Sequence, residues 1–372
     1  MGCSASSIDN KVVPTQVVSS YSHDRKFSGL SESNSRMRFP SLSNYDTLPT
    51  LTTEPSPPRN KSETQEIATY DFESPSILYS VDLAASKIMT YNIDTKKRLV
   101  NDLSKAALLS TNPRYIPLNP MKEEVFDHMF GAPSILASEK YLHFIGEKHF
   151  AYEIKQNLFS YRSARTYTEV KNSSLCKLRD EIFAISGEEG NGYSVKCEKY
   201  NITQNVWTQI ASLPKPYFKG STCGFIDSDG AAKIIIAGGL SAKDSSSPNQ
   251  AIAIYDVASD TWTESKFTWK LTFSIDPQVP SLPLINCKIN KFCLASLRED
   301  KIQMNFIDLK TGKSNSKTKP YPRETLEHPS IESSCISDGS LCLVISEKDG
   351  PIPLDNELPC KQKPSIMFDV SL

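Results

Sequence analysis

Short apolar runs of five or six residues recur along the chain from about residue 66 and are separated by clusters of turn-forming residues. Runs of this length, bounded by Gly, Asn, Asp and Ser, are typical of β-strands. Long stretches with the 3.6-residue period of a helix are absent. Six runs, most of them ending in small residues, are predicted to be the second strand of a repeated unit: Ile77–Val81, Tyr141–Gly146, Ile182–Gly187, Ile234–Gly239, Phe292–Leu297 and Leu341–Ser346.

A second landmark follows each of these runs after a turn or loop of variable length. It is an aromatic or aliphatic residue directly before Asp, Asn or Glu, and it marks a predicted third strand. The six pairs are Tyr91-Asn92, Tyr152-Glu153, Tyr200-Asn201, Tyr255-Asp256, Ile307-Asp308 and Phe368-Asp369. The chain therefore predicts six copies of one β-unit, and a repeat of this kind decides the fold class before any single residue is considered.

Two of the six units are the best preserved. One contains Gly238-Gly239, Tyr255-Asp256 and Trp262, and the other contains Gly187, Tyr200-Asn201 and Trp207. In both units the Tyr and the Trp are seven positions apart. The Gly residues suit a strand end where the backbone approaches a neighbour or adopts positive φ. Phe159, Arg98 and Ser314 stand where the Trp would fall in the second, first and fifth units.

These residues resemble the kelch repeat, whose period is about 50 residues. The resemblance covers residues 65–372 and implies an all-β, six-bladed β-propeller, in which Gly187, Tyr200, Trp207, Gly238, Gly239, Tyr255, Asp256 and Trp262 are structural anchors. A four-stranded blade has two apolar faces, and stacking blades around an axis covers both of them. The resemblance also implies binding of a protein or peptide partner, and it implies no reaction.

The two ends of the chain differ from the array. Residues 1–64 are rich in Ser, Pro, Thr and Asn and predict a flexible tail. The chain ends directly after the third strand of the sixth unit. Propellers of this kind commonly complete their last blade with a strand from the other terminus, and Tyr45–Thr53 is the candidate for that strand. Pro49 within the run is compatible with an edge strand.

The extreme N-terminus carries a separate signal. In Met1-Gly2-Cys3-Ser4-Ala5-Ser6, Gly2 and Ser6 match the pattern for N-myristoylation, and Cys3 is positioned for palmitoylation. One myristoyl chain gives only reversible binding, on the order of 10⁴ M⁻¹. The first twenty residues contain Lys11 as their only cation. We therefore expect Gly2 and Cys3 together to anchor the protein to the cytosolic face of a membrane.

Composition narrows the function classes further. The 372-residue chain has a formal net charge of −1, which argues against a nucleic-acid-binding protein of the strongly basic kind but is compatible with a local basic patch. The nine cysteines form no C-x-x-C pair, so they are expected to be reduced core residues. His143 and His149 are expected to be ordinary strand or loop residues. No nucleophile, phosphate-loop or paired-carboxylate motif is present, and we expect no catalytic residue, metal or cofactor.

The loops that follow the second strands are the predicted partner-binding site, because they emerge on one face of a propeller and loops on a rigid scaffold carry binding residues. Two are long, Leu240–Gln250 and Glu347–Pro364, and the candidate contacts in them are Leu240, Lys243, Asp244, Gln250, Glu347, Lys348 and Asp349. Glu188-Glu189 are expected to form a solvated turn.

The favoured function is a membrane-tethered adaptor or scaffold. The alternatives are a soluble kelch substrate adaptor of a ubiquitin ligase and a propeller enzyme that acts on a small ligand.

Overall fold

Twenty-four β-strands and one short 3₁₀ helix make up the regular structure in the part of the chain that the computed structural model describes. The described residues are 77–82, 86–109, 115–117, 132–240, 249–271, 282–298, 301–320, 329–337, 340–347 and 365–371. They form six sheets, named A to F in chain order, and all of them belong to one compact unit of the chain. None of the described helices is long and apolar enough to cross a membrane.

The first two sheets differ in size. Sheet A contains β1 Ile77–Asp82, β2 Lys87–Asn92 and β3 Lys97–Asp102, and the 3₁₀ helix Leu103–Lys105 follows it. Sheet B contains six strands: β4 Ala107–Leu109, β5 Tyr115–Pro117, β6 Ser134–Leu136, β7 Tyr141–Ile145, β8 His149–Glu153 and β9 Leu158–Tyr161.

The remaining sheets have four or three described strands. Sheet C contains β10 Ser174–Leu178, β11 Glu181–Glu189, β12 Gly192–Asn201 and β13 Val206–Ile210. Sheet D contains β14 Phe218–Ile226, β15 Ala232–Leu240, β16 Ala251–Asp256 and β17 Thr261–Thr268. Sheet E contains β18 Leu284–Lys288, β19 Lys291–Arg298, β20 Lys301–Asp308 and β21 Ser314–Pro320. Sheet F contains β22 Pro329–Ser337, β23 Ser340–Glu347 and β24 Ser365–Ser371.

Five of the sheets, A, C, D, E and F, are antiparallel meanders in which each strand pairs with the next along the chain. Sheet B has the order β5-β4-β9-β8-β7-β6, so its meander carries two extra strands on the outer edge. The strand β4 reaches that edge from the connection after sheet A and pairs with β9 in parallel. All six predicted second strands and all six predicted third strands are confirmed as strands of the six sheets.

The second strand of each meander explains why the sheets stack. Successive side chains on a strand point to opposite faces, and in β11 both faces are apolar. Ile182 and Ala184 pack against sheet B, while Phe183 and Ile185 pack against sheet D. Since neither face tolerates water, the sheet is stable only when it is covered on both sides. The strands β15, β19 and β23 follow the same rule, with alternate residues assigned to different neighbours.

Six apolar clusters join the sheets in sequence, and each contains residues of two neighbouring sheets. The clusters link A with B, B with C, C with D, D with E, and E with F. The sixth links F back to A through Cys342 and Leu78. There the Ser333 hydroxyl accepts from the Tyr79 backbone N–H at 3.0 Å and donates to the Tyr79 carbonyl at 2.6 Å. The protein is thus nearly all-β and has a propeller-like arrangement.

The seven-residue spacing found in the sequence corresponds to a fixed register between the third and fourth strands. Tyr200 lies directly opposite Trp207, and Tyr255 lies directly opposite Trp262. Three of the four divergent units keep the same register with other residues, in the pairs Tyr91–Arg98, Tyr152–Phe159 and Ile307–Ser314. The spacing therefore measures the length of one turn, and the turn is retained even where the aromatic pair has changed.

The chemistry of this turn is also repeated. The carboxylate or amide oxygen after the landmark residue accepts backbone N–H groups of the turn: Asp256 accepts from Ser259 at 3.0 Å, and Asn201 accepts from Gln204 at 2.8 Å. Five of these turns lie in the described part of the chain, and in each of them the residue five positions after the landmark has positive φ: Lys96, Asn157, Asn205, Asp260 and Gly312. Asn, Asp and Gly tolerate that conformation better than other residues.

The Tyr hydroxyl closes the turn in three of the units. Tyr200 donates to Asn205 Oδ1 at 2.8 Å, and Tyr255 donates to Asp260 Oδ1 at 2.7 Å. Tyr152 donates to Asn157 Oδ1, also at 2.8 Å. Because the ring is buried and the hydroxyl must keep a partner, each Tyr links the apolar interface to the turn beneath it.

The Gly238-Gly239 pair has the geometry expected from the sequence. Both residues have positive φ, +72° and +69°. A Cβ on Gly239 would lie 2.6 Å from the Gly220 backbone N and 2.6 Å from the Phe218 carbonyl oxygen. Gly239 is therefore required both for its conformation and for the close approach of β14 to β15.

The predicted tail of residues 1–64, including the candidate ring-closing run 45–53, lies outside the described residues. Gly2 and Cys3 also lie outside the described residues, and their acylation stays a prediction.

We expect Gly239→Ala to lower the free energy of unfolding by about 2–5 kcal/mol, because an unfavourable φ is combined with a backbone clash. Gly190→Ala is the matched control, since Gly190 has φ +57° but a Cβ added to it would meet no atom within 4 Å. The control should lose only about 1–2 kcal/mol. Urea unfolding measures both, and equal losses would contradict the packing explanation.

Candidate interaction site

Two faces of the propeller-like arrangement differ in their turns. We call the edge at which the second strands end the upper face. It carries the turns after second strands and the connections between consecutive sheets. The lower face carries the turns after first and third strands. Strand direction alternates in a meander, so the connection 162–173 between sheets B and C lies on the upper face beside the turn that joins β11 to β12.

The structure describes part of the predicted loop Leu240–Gln250. The residue Leu240 is the last residue of β15, pairs with Phe218 and is buried, so its assignment to a partner-binding loop was wrong. Its side chain contributes to the core because the strand extends one residue further than the Gly pair. Gln250 is exposed, and its carbonyl accepts from the Trp269 backbone N–H at 2.8 Å. Residues 241–248, with Lys243 and Asp244, lie outside the described part.

Most of the second long loop, Glu347–Pro364, lies outside the described residues. Glu347 is the last residue of β23, and 348–364, which include Lys348 and Asp349, are not described. The pair Glu188-Glu189, expected in a solvated turn, instead ends β11. Glu188 exchanges backbone hydrogen bonds with Lys171 at 2.8 and 2.9 Å, because the connection 162–173 folds back against this strand.

A buried ion pair holds the connection 162–173 in place. Arg165 Nε donates to Glu198 Oε1 at 2.5 Å, and both side chains are almost fully buried. The guanidinium also donates to the Val170 carbonyl and to the Ser173 hydroxyl, each at 3.0 Å. The second carboxylate oxygen of Glu198 accepts the Thr166 backbone N–H at 2.9 Å. A buried ion pair is tolerable only when its remaining hydrogen-bonding groups are satisfied in this way, and here they fix the backbone of the connection.

The motif Trp residues tie each sheet to the chain before it. Trp207 lies beneath Arg165, with the guanidinium 5.7 Å from the ring centroid, and its indole N–H donates to His149 of sheet B at 3.3 Å. Trp262 donates to the Ala211 carbonyl, in the connection from sheet C to sheet D, at 2.8 Å. The Trp therefore supports an upper-face connection from below in both of the well-preserved units.

Above this support the connection presents charged and aromatic groups. Lys196 Nζ lies 2.7 Å from Glu169 Oε1 and 2.5 Å from Glu189 Oε1. These hydrogen bonds raise the pKa of Lys196 and lower the pKa of both carboxyls. The Lys196 ammonium also lies 5.1 Å from the Tyr167 ring centroid. Glu169 is exposed and Tyr167 half-buried, so the cluster is available to a partner.

An aromatic stack continues the same face toward sheet D. The rings of Tyr193 and Phe218 are 4.3 Å apart and nearly parallel, with an interplanar angle of 15°. The Ser186 hydroxyl accepts the Tyr217 backbone N–H at 3.2 Å and so holds the next connection against sheet C. The upper face of sheets C and D thus combines aromatic side chains, which are enriched in protein interfaces, with ionised groups of the kind found at the polar rim of an interface.

His143 and His149 are brought together within the interface between sheets B and C. His143 Nδ1 lies 2.8 Å from His149 Nε2, and both rings are buried. An indole N–H can only donate, so His149 accepts from Trp207 at Nδ1, carries its proton on Nε2 and donates to His143. The remaining nitrogen of His143, Nε2, has no hydrogen-bond partner among the described residues.

Burial makes both imidazoles weak bases. It lowers the pKa of His143 to about 3, and the positive charge of Arg162 acts in the same direction. Burial, followed by the neighbouring His143, holds the pKa of His149 well below its usual value. Both rings are therefore neutral at physiological pH. The sequence indicated neither the contact nor its burial, although both residues lie on the same face of a predicted hairpin.

No group of three or more His, Cys, Asp or Glu side chains within the described ranges could hold a metal ion. The six described cysteines whose side chains are placed are free thiols, four of them buried, as expected for core residues. Cys3 and Cys360 lie outside the described part.

Comparison with known proteins gives no assignment: no family model and no curated protein matches this sequence.

We expect Glu198→Gln to cost about 3–5 kcal/mol of unfolding free energy, because Arg165 would keep a buried charge without its counter-ion. The control is Lys215→Met, which breaks the half-exposed pair of Lys215 and Glu264 and should cost less than about 1 kcal/mol. Chemical denaturation of the three proteins measures the difference. Similar losses in the two variants would show that the Arg165–Glu198 pair does not stabilise the fold in the way described.

Acid should destabilise the protein through the two histidines. Their folded pKa values lie below the unfolded value of 6.5, so the unfolded state binds more protons as the pH falls. The contribution of the two neutral histidines to the free energy of unfolding is fully present above pH 6.5. Below that pH the free energy of unfolding should fall by about 1.4 kcal/mol per pH unit for each His. In His143→Asn, whose amide oxygen can replace Nδ1 as an acceptor, we expect about half of this His-dependent slope. Unfolding curves between pH 5 and 8 measure it, and an unchanged slope would contradict the assignment.

Proposed function

We propose that this protein is a non-enzymatic adaptor or scaffold. It is a six-bladed, kelch-like propeller that acyl chains on Gly2 and Cys3 hold at the cytosolic face of a membrane, and it binds a protein or peptide on its upper face. The six sheets, the six apolar clusters and the constant register between third and fourth strands support the blade number and the kelch resemblance. Tyr45–Thr53 remains our candidate for the fourth strand of sheet F.

The observation that carries the binding function is the anchored connection 162–173. The protein places a buried ion pair, Arg165–Glu198, under a short surface segment, and that pair is hydrogen-bonded to the backbone of the segment at several points. Such a fixed segment loses little conformational entropy when a partner binds. Its Tyr167, Glu169 and Lys196 side chains offer aromatic contact area and both signs of charge. The partner that fits best is a polar peptide segment with charges of its own.

The membrane location rests on the acylation pattern at the N-terminus. Gly2 and Ser6 satisfy the myristoylation pattern, and Cys3 offers a second acyl site beside it. Stable anchoring takes two signals, since one chain gives only marginal affinity, and a second acyl chain on Cys3 is one way to supply the second signal.

We expect the wild-type protein to incorporate clickable myristate in cells, and Gly2→Ala to abolish the label and release the protein from membranes. Cys3→Ser should keep the label and bind membranes more weakly than wild type, because one of the two acyl chains is lost. Ser7→Ala, outside the expected acylation pattern, is the control and should behave as wild type. A myristate signal that survives Gly2→Ala would contradict the lipidation proposal.

Proximity labelling of the wild type, Gly2→Ala and Ser7→Ala then distinguishes the loss of a binding partner from the loss of the membrane location. A fourth chain, Tyr167→Ala with Glu169→Ala, should stay on the membrane and lose partners that Ser7→Ala retains. If Gly2→Ala leaves membranes with its partner set intact, the protein is a soluble adaptor that does not depend on its tether. If the fourth chain keeps every partner, the upper face of sheet C is not the binding site.

A further inference from the structure

Sheet E carries an unusual concentration of positive charge for a chain that is close to neutral overall. Residues 282–320 contain eight basic side chains and three acids, of which Glu299 and Asp300 lie in the sequence between β19 and β20 and Asp308 ends β20. The eight are Lys288, Lys291, Arg298, Lys301, Lys310, Lys313, Lys317 and Lys319. Charge of one sign on one sheet marks a region where the local potential differs from that of the whole molecule.

Four of these lysines lie on the lower face of the sheet. Lys288 and Lys291 flank the turn between β18 and β19, where they are paired across the strands. Lys310 and Lys313 belong to the turn between β20 and β21. The Leu309 backbone N–H donates to the Asn290 carbonyl at 2.8 Å, which joins the two turns directly. The four lysines therefore share one end of one sheet.

Within the described part of the chain, the positive charge of this end is offset in part by Asp308, which interacts electrostatically with Lys291. All four lysines are exposed, and none of them forms an ion pair with a described residue. The nearby acid, Asp308, uses its Oδ1 to accept the backbone N–H groups of Lys310 at 2.9 Å and Thr311 at 3.1 Å. Its carboxylate stabilises the turn and leaves the lysine side chains facing solvent.

An apolar side chain stands at the centre of this charge. Ile289 occupies the tip of the turn between Lys288 and Lys291 and is 65% exposed, the highest value among the large hydrophobic residues in the described part of the chain. Asn290, with φ +60°, allows the tight turn that brings Ile289 to the tip. An exposed β-branched residue at a two-residue turn adds nothing to the core, because its side chain points away from it.

We propose that the lower end of sheet E is a docking site for an anionic lipid bilayer. Lys288, Lys291, Lys310 and Lys313 contact the headgroups, and Ile289 inserts between them. Binding at a membrane interface increases with both buried apolar area and attraction to anionic lipids, and this site supplies the two together. A nucleic acid would use the lysines but gains little from Ile289. This is the reason for choosing a bilayer as the occupant.

The lower turns of other sheets define the limits of the site. The corresponding turn of sheet A carries Lys96 and Lys97, which are exposed and form no ion pair with described residues. The lower turns of sheet D carry Asp227, Asp229 and Asp256 instead. An anionic surface should therefore be attracted to the lower ends of sheets E and A, which lie on either side of sheet F, and be repelled by sheet D on the other side of sheet E, so that the protein binds tilted.

This site deepens the proposed membrane tether and makes up for a deficiency in it. The first twenty residues supply no polybasic patch, since Lys11 is their only cation. Each lysine near an anionic surface raises the partition coefficient about fivefold, so four raise it by about several hundredfold. Acting together with one acyl chain, the patch would provide the second signal that stable anchoring requires. It would also orient the upper face away from the lipid.

The test uses the full chain with Gly2→Ala, purified from bacteria, so that no acyl chain contributes. Co-sedimentation is measured with phosphatidylcholine vesicles and with the same vesicles containing about a third phosphatidylserine. We expect binding to the anionic vesicles only, and we expect it to weaken with added salt. Because the chain is unacylated, failure here leaves the lipidation proposal standing, and failure of myristate labelling leaves this one standing.

Matched variants locate the site. Lys288→Glu, Lys310→Glu and Lys313→Glu together should reduce vesicle binding by at least about a hundredfold. Lys155→Glu, Lys266→Glu and Lys270→Glu change the net charge equally on sheets B and D and should keep most of the binding. Ile289→Ser should reduce binding about tenfold, and Val206→Ser, an exposed apolar residue on sheet C, should not change it.

Three outcomes would overturn the proposal. The first is equal binding to both kinds of vesicle. The second is an equal loss in the two lysine triples, which would mean that only net charge matters. The third is unchanged binding of Ile289→Ser together with complete competition by heparin, which would assign the patch to a soluble polyanion. Thermal unfolding confirms that each variant is folded, and a Lys→Gln set at the same three positions replaces any variant that is not.

Discussion

Every sheet in this protein has two apolar faces, and the rest of the structure depends on covering both. A strand such as β11 buries Ile182 and Ala184 on one side and Phe183 and Ile185 on the other, each fully. Burying a side chain of this size contributes about 1.5–3 kcal/mol, so a single sheet left half-covered would lose most of its stabilisation. Six sheets satisfy the requirement by packing in sequence and returning from sheet F to sheet A. Closure is thus a consequence of the strand pattern.

The two faces of the assembly are under different constraints. On the lower face the turn between third and fourth strands is fixed in length, because its acidic or amide residue, its positive-φ residue and the buried Tyr hydroxyl all depend on one register. On the upper face the connections differ in length, and each is held by its own set of side-chain interactions, for example the Arg165–Glu198 ion pair in the connection 162–173. Variable loops on a fixed base suit recognition.

Features with a local signal could be predicted from the sequence. The second and third strands followed from apolar runs and from the Tyr-Asp and Tyr-Asn landmarks, and the seven-residue spacing was correctly linked to one repeated unit. Specific side-chain pairs and added edge strands left no such signal. The extra strands β4 and β5, the contact of His143 with His149, and the fit of Arg165 to Glu198 each join residues whose sequence context gives no hint of the other. Leu240 was misassigned because a strand end and a loop start have the same composition.

The strand β4 has a consequence for how the molecule yields under load. It belongs to the chain that leaves sheet A, yet it is hydrogen-bonded along β9 at the outer edge of sheet B, and its Leu108 is buried in the cluster that joins sheets A and B. A force that pulls the N-terminal side of the protein must shear this parallel pair before it reaches the meander of sheet B. Two paired strands that are loaded along their length must break the hydrogen bonds between them together. Under the proposed N-terminal tether, β4 would act as a mechanical clamp between the tether and the sheets.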